Sequence, residues 1–520
     1  MKPYWFGGYS LIVVLALLIY VPLILFGGFG TSDDVSLVAH IGPDYLQDLV
    51  YSLSRSGHIS RPLYGFIQTT SLHLFGFSYI LYNVFRFILW GILLLLAHIV
   101  FKKLLGDRVS LFFLFFISFP VFASSQLFNS MQMGYILSVI FYLLALRSIQ
   151  ELSGQFTKES YRAYFLWSLL ALLSCEIIFP LFVFPILQLW PKSKDYKRFK
   201  NLCVTTALVF GLILLLKFVA GPLYQIGDAI YGFSFSVHSL LQGIYYFFAL
   251  LIELPLLLIE VVPFYFSEPL LWLSVLVVPL VYFSRSAMEI QFDKRIFFHA
   301  ILTIVSCCSI FILSDYPAVT YGLYNKMLLP SHLFVALVLS IICVLLLRSK
   351  FYLCSYLIAI LWFASMEMQV INSIRSWELR NKVLQEVIPV LKNIKTEQFV
   401  FAEVPYFLPS NYNNEPVFSL IDDFQGGLKL NGCQRNPENI FPYTSKMILD
   451  SSYWYRQNMS YIILKNNIED FTCLKPLNMK FMVHTYDGIE EFRTSQFFIA
   501  EQECFRADLR GFLSNKFLNK

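Results

Sequence analysis

The ionisable residues that could do chemistry in this chain are few, and they stand against a very apolar background. Asp33 and Asp34 are adjacent, a few residues beyond the first long apolar segment, in the stretch GGFGTSDDVSLVAHIGPDYLQDLVYSLSRSGHISRP at 27–62. A carboxylate pair is costly if it faces lipid and cheap if it lines a wet cavity, so it reads first as a functional site. The plainer reading is local: Thr31, Ser32 and Asp33 suit the N-cap of a helix beginning near Val35, and a capping Asp can also be a catalytic one. Arg55, His58 and Arg61 follow in SRSGHISRP, where an arginine can simply meet lipid headgroups. Glu176 lies between two apolar runs in LLSCEIIFPLF, as a polar turn residue or a cavity carboxylate. Tyr321, Tyr324, Asn325 and Lys326, with Asp315 and Tyr316, lie in SDYPAVTYGLYNKMLLP. Lys326 could bind a phosphate or snorkel to the membrane surface.

Carboxylates facing cations beside lipid suit a substrate that is itself a lipid phosphate. One carboxylate would take the proton from an attacking hydroxyl while cations stabilise the departing phosphate. The two adjacent carboxylates could instead hold a divalent cation, Mg²⁺ or Mn²⁺, that does part of the second task.

The elements that must position these groups are membrane helices. Of 520 residues, 57% are hydrophobic and 14% charged, against roughly 25% charged in a soluble domain, which makes this a polytopic α-helical membrane protein. Phe (53) and Tyr (31) are abundant, as suits lipid contact and interfacial belts. The net charge of +5 comes without a long basic tract, so no nucleic-acid partner is expected. The first apolar segment, 9–26, has no small-residue cleavage site at its end and reads as an uncleaved span. Residues 44–74 predict short amphipathic helices along the membrane surface, within a first outer loop at 29–78. Further spans are predicted near 79–100, 110–126, 133–146, 163–173, 177–189, 202–220, 270–283, 296–313, 328–347 and 351–370, about eleven crossings by hydropathy-window logic. Basic clusters at Lys102/Lys103/Arg108, Arg147/Lys158/Arg162 and 192–200 recur after alternate spans, as the positive-inside rule requires. That places the candidate residues together on the extracytoplasmic side. Residues 240–266 are apolar but contain Glu253, Pro255, Glu260 and Pro263, and a re-entrant or kinked element is expected there.

The chain changes character after residue 371. Residues 374–394 carry apolar side chains at helical spacing, among them Ile374, Trp377, Leu384, Val387 and Leu391. Short strands are predicted at 398–404, 461–464 and 481–485, and turns at Gly426-Gly427, Asn431-Gly432 and Asn436-Pro437. Two domains follow: 1–371 in the membrane and 372–520 as an extracytoplasmic α/β domain. Six of the nine cysteines lie in or beside apolar segments; Cys433, Cys473 and Cys504 lie in the tail, where one disulfide could form without the sequence choosing the pair. No GxGxxG followed by a suitably spaced acid, P-loop, HExxH or CxxC is present, which excludes the usual nucleotide and dedicated zinc sites.

The acidic pair after the first span, the amphipathic helices of the first outer loop, Arg61-Pro62-Leu63 closing that loop, Glu176 after LLS, Lys326 before LLP and the C-terminal soluble region together resemble the GT-C fold membrane glycosyltransferases that use polyprenyl-phosphate sugars. The match is most similar to the phage-type glucosyltransferases that modify lipopolysaccharide O-antigen. The resemblance covers the membrane part loosely and the tail hardly at all, and Asn325-Lys326 stands where such families usually carry Arg. It implies transfer of a sugar, glucose by that likeness, from undecaprenyl phosphate to a glycan or lipopolysaccharide hydroxyl at the periplasmic face of a bacterial inner membrane, with inversion. Asp33 or Asp34 would be the base, Arg55, Arg61 and Lys326 phosphate contacts, and Glu176, His58, Tyr321 and Tyr324 substrate contacts; a flippase and a donor synthase would be partners. The competing readings are a lipid-linked glycan polymerase or ligase, which usually places its large outer loop between spans, and a transporter or flippase, for which inverted repeats and mid-span charges are expected.

Overall fold

The computed structural model describes residues 5–29, 42–54, 61–128, 132–150, 158–189, 196–216, 236–283, 293–313, 318–320, 323–391, 398–403, 412, 421–433, 440–443, 475–484 and 490–501. The chain divides into two compact units, Met1–Gly28 with Gly42–Ile371, and Phe29–Ile41 with Asn372–Lys520. Among the described residues seven helices are long and apolar enough to cross a membrane, so the chain is a multi-pass helical membrane protein. Two shorter apolar helices, Met133–Ile149 and Glu176–Gln188, fall where the sequence pattern also predicts crossings.

In the first unit α1 (Trp5–Phe26) ends at Gly27-Gly28, with Gly28 at φ 60°, the left-handed form that commonly closes a helix. Helix ends leave carbonyls without intrahelical donors. Here the Asn83 side-chain amide lies 3.4 Å from each of the Leu23, Ile24 and Gly28 carbonyls, and Arg86 donates to Asn83 Oδ1 at 2.8 Å. The amphipathic stretch becomes α2 (Tyr45–Ser54) and α3 (Pro62–Phe75). Asp44 caps α2, its Oδ1 accepting from the Leu46 and Gln47 amides. Pro62 opens α3 at the position where its missing N–H costs nothing. Asp48 bolts the two together, accepting from Gly42 N at 2.8 Å and lying 2.9 Å from His73 Nε2.

The predicted spans at 79–100 and 110–126 form α4 (Tyr79–Ser118), two helical pieces joined at Gly106 with φ 69° and ψ 174°, a backbone open essentially to glycine alone. Its second piece stops at Ser118, short of the predicted Gln126. The carbonyls at that end are taken by side chains from three other helices. Tyr20 of α1 donates to Ser118 O, Trp362 Nε1 to Phe119 O at 2.7 Å, and Gln369 Nε2 to Val121 O at 2.8 Å, while His332 Nε2 lies 3.4 Å from Ile117 O. Phe119 O also accepts from Val121 N at 2.9 Å; a carbonyl without a donor in an apolar interior is costly.

Then follow α5 (Met133–Gln150), α6 (Lys158–Ser174), a 3-10 stretch at Glu176–Phe182, α7 (Val183–Gln188), α8 (Tyr196–Leu215) and α9 (Val237–Phe248). Helix α9 runs on through a π turn at Ala249–Glu253 into α10 (Leu254–Glu260) and a 3-10 turn at Val262–Phe266. Where a re-entrant or kinked element was expected, helical structure runs over Val237–Phe266 with two irregularities, the π turn at Ala249–Glu253 and the change to 3-10 at Val262–Phe266. Pro255 follows directly on the π turn and Pro263 lies in the opening turn of the 3-10 stretch, and π turns and prolines are the usual sources of helix kinks. Helices α11 (Trp272–Phe283), α12 (Lys294–Ser306), α13 (Leu329–Leu347) and α14 (Tyr352–Leu391) complete the helical series.

In the second unit, Leu384, Val387 and Leu391 of α14 are buried, on the face their spacing predicts. Gly426-Gly427, expected as a turn, instead lies inside α15 (Ile421–Leu430). A Cβ on Gly427 would meet Leu384 Cδ1 at 2.7 Å, so glycine serves close helix packing here. The turn comes at Asn431-Gly432, with Gly432 at φ 77°. A mixed sheet of order β2-β1-β4-β3 is built from β1 (Gln398–Glu403), β2 (Ile440–Tyr443), β3 (Lys475–His484) and β4 (Glu490–Glu501). Strands β1 and β2 are parallel and the other pairs antiparallel. Pro442 and Pro476 lie on the two edge strands, where a missing donor is tolerated. The predicted strand at 461–464, Asn436-Pro437, Cys473 and Cys504 lie outside the described residues.

Candidate active site

Three of the residues singled out in the sequence come together in the first unit from distant parts of the chain. Arg61 stands at the N-cap of α3 with φ −129° and ψ 51°, outside the helical region that the following proline disfavours for it. Glu176 opens the 3-10 stretch after α6. The two form a side-on pair: Arg61 Nε donates to Glu176 Oε2 and Nη2 to Oε1, the latter at 2.9 Å. Such a fork-to-fork pair is among the stronger hydrogen-bonded contacts in proteins. The Arg61 side chain is 10% exposed and that of Glu176 19%. The carboxylate orients the guanidinium by accepting from two of its five N–H donors.

Lys326 lies in the 3-10 stretch Leu323–Leu328, immediately before α13. It is 8% exposed, and its Nζ sits 5.8 Å from the centre of the Tyr135 ring, an inward cation–π geometry rather than that of a snorkelling lysine. Tyr135 in turn meets Tyr64 of α3 edge to face at 6.1 Å. Gly134 admits this contact, since a Cβ there would fall 1.9 Å from the Tyr64 ring. Cys175, buried in the turn between α6 and the 3-10 stretch, senses all three charged groups. Burial pushes its thiol up to about 11, Glu176 adds to the rise, and Arg61 and Lys326 pull against it. Arg61, Glu176 and Lys326 therefore all act on one buried thiol.

The turn bearing Lys326 is fixed on both sides. Asn325 Oδ1 accepts from Ser125 N at 3.0 Å, and Asn325 Nδ2 donates to Ser124 Oγ at 3.2 Å and Thr320 O at 3.3 Å. Gln126 Nε2 donates to Lys326 O at 3.1 Å. Ser124, Ser125 and Gln126 follow the end of α4, so the carbonyl contacts from Tyr20, His332, Trp362 and Gln369 steady the platform on which Lys326 rests.

Asp33, Asp34, Arg55, His58 and Tyr321, with Asp315 and Tyr316, lie outside the described residues, as does the side chain of Tyr324. Among the described residues no group of three or more His, Cys, Asp or Glu could hold a metal ion. Sequence reasoning passed over Tyr135, Gln126 and Thr320, which the structure brings to the Lys326 turn. It also missed Arg86 and Glu367, 1% and 9% exposed in apolar helices. The available signal was a polar island, SSQLFNSMQMGY at 124–135, and single charges inside YNVFRFILW and SMEMQV.

No family model matches this chain, and no curated protein matches it. Among solved structures it is similar to the crystal structure of ArnT from Cupriavidus metallidurans bound to undecaprenyl phosphate, with a TM-score of 0.43 and 11% identity, over 96% of this chain and 99% of that one. A likeness of that degree says nothing about activity.

Proposed function

We propose that this chain is a membrane glycosyltransferase of the GT-C type that moves a sugar from a polyprenyl-phosphate carrier to a glycan hydroxyl. The observation that supports the reading is the buried Arg61–Glu176 pair and the buried Lys326, all three acting on the Cys175 thiol within a multi-pass apolar unit. Two buried cations there suit the phosphate of a lipid-borne donor. Asp33 or Asp34 takes the proton from the acceptor hydroxyl. The acceptor oxygen then bonds to the anomeric carbon while the bond from that carbon to the phosphate oxygen breaks. Its electron pair leaves with the polyprenyl phosphate, whose charge Arg61, Arg55 and Lys326 stabilise, and the anomeric centre inverts. Glu176 keeps Arg61 in one orientation; His58, Tyr321 and Tyr324 contact the sugars. The donor is undecaprenyl-phosphate glucose, the acceptor an O-antigen or related glycan, and the reaction takes place on the periplasmic face of a bacterial inner membrane, with 372–520 shaping the acceptor groove. A donor synthase and a flippase supply the substrate.

The test is expression of Asp33→Asn and Asp34→Asn, with surface glycan examined by gel mobility and antibody typing. At least one variant should reach normal levels in the membrane and leave the glycan unmodified. Full modification by both variants removes the catalytic assignment. Movement of labelled lipid across the bilayer without any new glycosidic bond would mean a transporter.

A further inference from the structure

Glu253 is a charged residue inside an apolar, membrane-crossing stretch, and the proposed reaction does not use it. It ends the π turn Ala249–Glu253, a helical irregularity that is frequent at functional sites. Its Oε2 accepts from Thr320 Oγ1 at 3.1 Å and lies 3.4 Å from the Thr320 backbone nitrogen. Nearer the start of the same helical stretch, Gln242 Oε1 accepts from the Ala318 amide at 3.2 Å. Two side chains of one crossing element thus hold the segment 318–320. Thr320 passes the restraint on: its carbonyl accepts from Asn325 Nδ2 at 3.3 Å, and Asn325 directly precedes Lys326. Ala318, Thr320 and Asn325 are 0%, 3% and 1% exposed, so water cannot replace these contacts without the segment shifting.

We propose that Glu253 is a positioning residue for Lys326, acting through Thr320 and Asn325 without touching substrate. The proposal rests on the reading of Lys326 as a contact to the donor phosphate. The Lys326 turn is gripped on one side by Ser124, Ser125 and Gln126 and on the other by this relay. The second grip ends on side chains carried by a crossing helix itself, Gln242 and Glu253. Its chemical requirement is an acceptor oxygen for the paired O–H and N–H of Thr320. Glutamine keeps that acceptor and leucine abolishes it.

The experiment compares full-length variants in lipid nanodiscs, with undecaprenyl-phosphate glucose as donor and acceptor glycan in excess. Glu253→Leu should raise the donor KM about fivefold, the effect of roughly 1 kcal/mol of lost hydrogen bonding, with kcat within about twofold. Thr320→Val should move the same constant in the same direction. The Glu253→Leu/Thr320→Val double variant should be no worse than Glu253→Leu alone, since both cut one relay, and Glu253→Gln should restore the wild-type KM. Lys326→Met is the control: it should raise donor KM more than any of these. An unchanged KM in Lys326→Met overturns the phosphate reading and the positioning role with it. A raised KM in Lys326→Met beside an unchanged one in Glu253→Leu, or effects that multiply in the double variant, overturns the positioning role alone. Should Glu253→Leu fail to accumulate, Thr320→Val and Glu253→Gln still decide: a wild-type KM in Thr320→Val or a raised KM in Glu253→Gln refutes the relay.

Discussion

Replacing Glu176 by leucine takes from the Arg61 guanidinium, 10% exposed, the carboxylate that accepts two of its N–H groups, while a second buried cation, Lys326, acts on the same Cys175. Removing one partner of a buried pair costs about 3–5 kcal/mol, whereas exchanging both for apolar residues of similar volume is often close to neutral. The residual 19% exposure of Glu176 points to the lower end, about 3 kcal/mol. The three charges also make the two single variants unequal. Arg61→Met leaves Glu176 next to Lys326, an opposite charge, and should cost less than Glu176→Leu, which leaves two cations together. The double variant Arg61→Met/Glu176→Leu should fall within about 1 kcal/mol of wild type. Unfolding free energies in mixed dodecylmaltoside and SDS micelles, followed by tryptophan fluorescence, give the cycle directly. Losses that simply add in the double variant, or a larger cost for Arg61→Met than for Glu176→Leu, would show that the pair is not the buried, Lys326-coupled unit described.

Three other outcomes follow from the same geometry. Gly106→Val forces a β-branched residue into a backbone at φ 69° and ψ 174° and should cost about 1–3 kcal/mol, seen as a lower thermal midpoint in detergent. Trp362→Phe keeps the ring contacts but removes the indole N–H from the Phe119 carbonyl, which retains the Val121 amide at 2.9 Å, and should cost about 0.5–1.5 kcal/mol; an unchanged midpoint would mean that the indole hydrogen bond adds nothing to stability. Cys175, held up to about 11 mainly by burial, is neutral at pH 8 and lacks the reactive thiolate. Mass spectrometry after maleimide treatment at pH 8 should find exposed Cys354 labelled and Cys175 unlabelled until the protein is denatured.

The candidate site was partly legible because charge in a lipid-facing sequence is conspicuous. Arg61, Glu176 and Lys326 each stood out against apolar runs, and an element boundary could be read at Pro62. What the pattern did not carry was their partnership. Glu176 pairs through both oxygens with Arg61, a pairing across distant chain segments that no local spacing encodes. Tyr135 was invisible for a related reason, since an aromatic residue in a membrane helix is ordinarily core or lipid contact. The crossing helices were read from hydropathy, but their ends were not. Helix α4 ends at Ser118, where Phe119 before Pro120 leaves the helical region, and the carbonyls there are met by Tyr20, Trp362, Gln369 and His332 as well as by local amides. Gly426-Gly427 was misread because the small side chain that permits a turn also permits close packing on Leu384. Over 240–266, the prolines and acidic residues marked an irregular element, and the irregularity is there as the π turn that ends at Glu253, just before Pro255.

Sugar transfer by the purified full-length chain tests the central claim most directly. Nanodiscs carrying undecaprenyl-phosphate glucose labelled in the sugar, mixed with acceptor glycan, should release unlabelled undecaprenyl phosphate and gain label in the glycan in equal amounts, and Lys326→Met should slow both together at limiting donor. Label that stays on the lipid in the wild-type reaction, or transfer indifferent to Lys326 at limiting donor, would contradict the account.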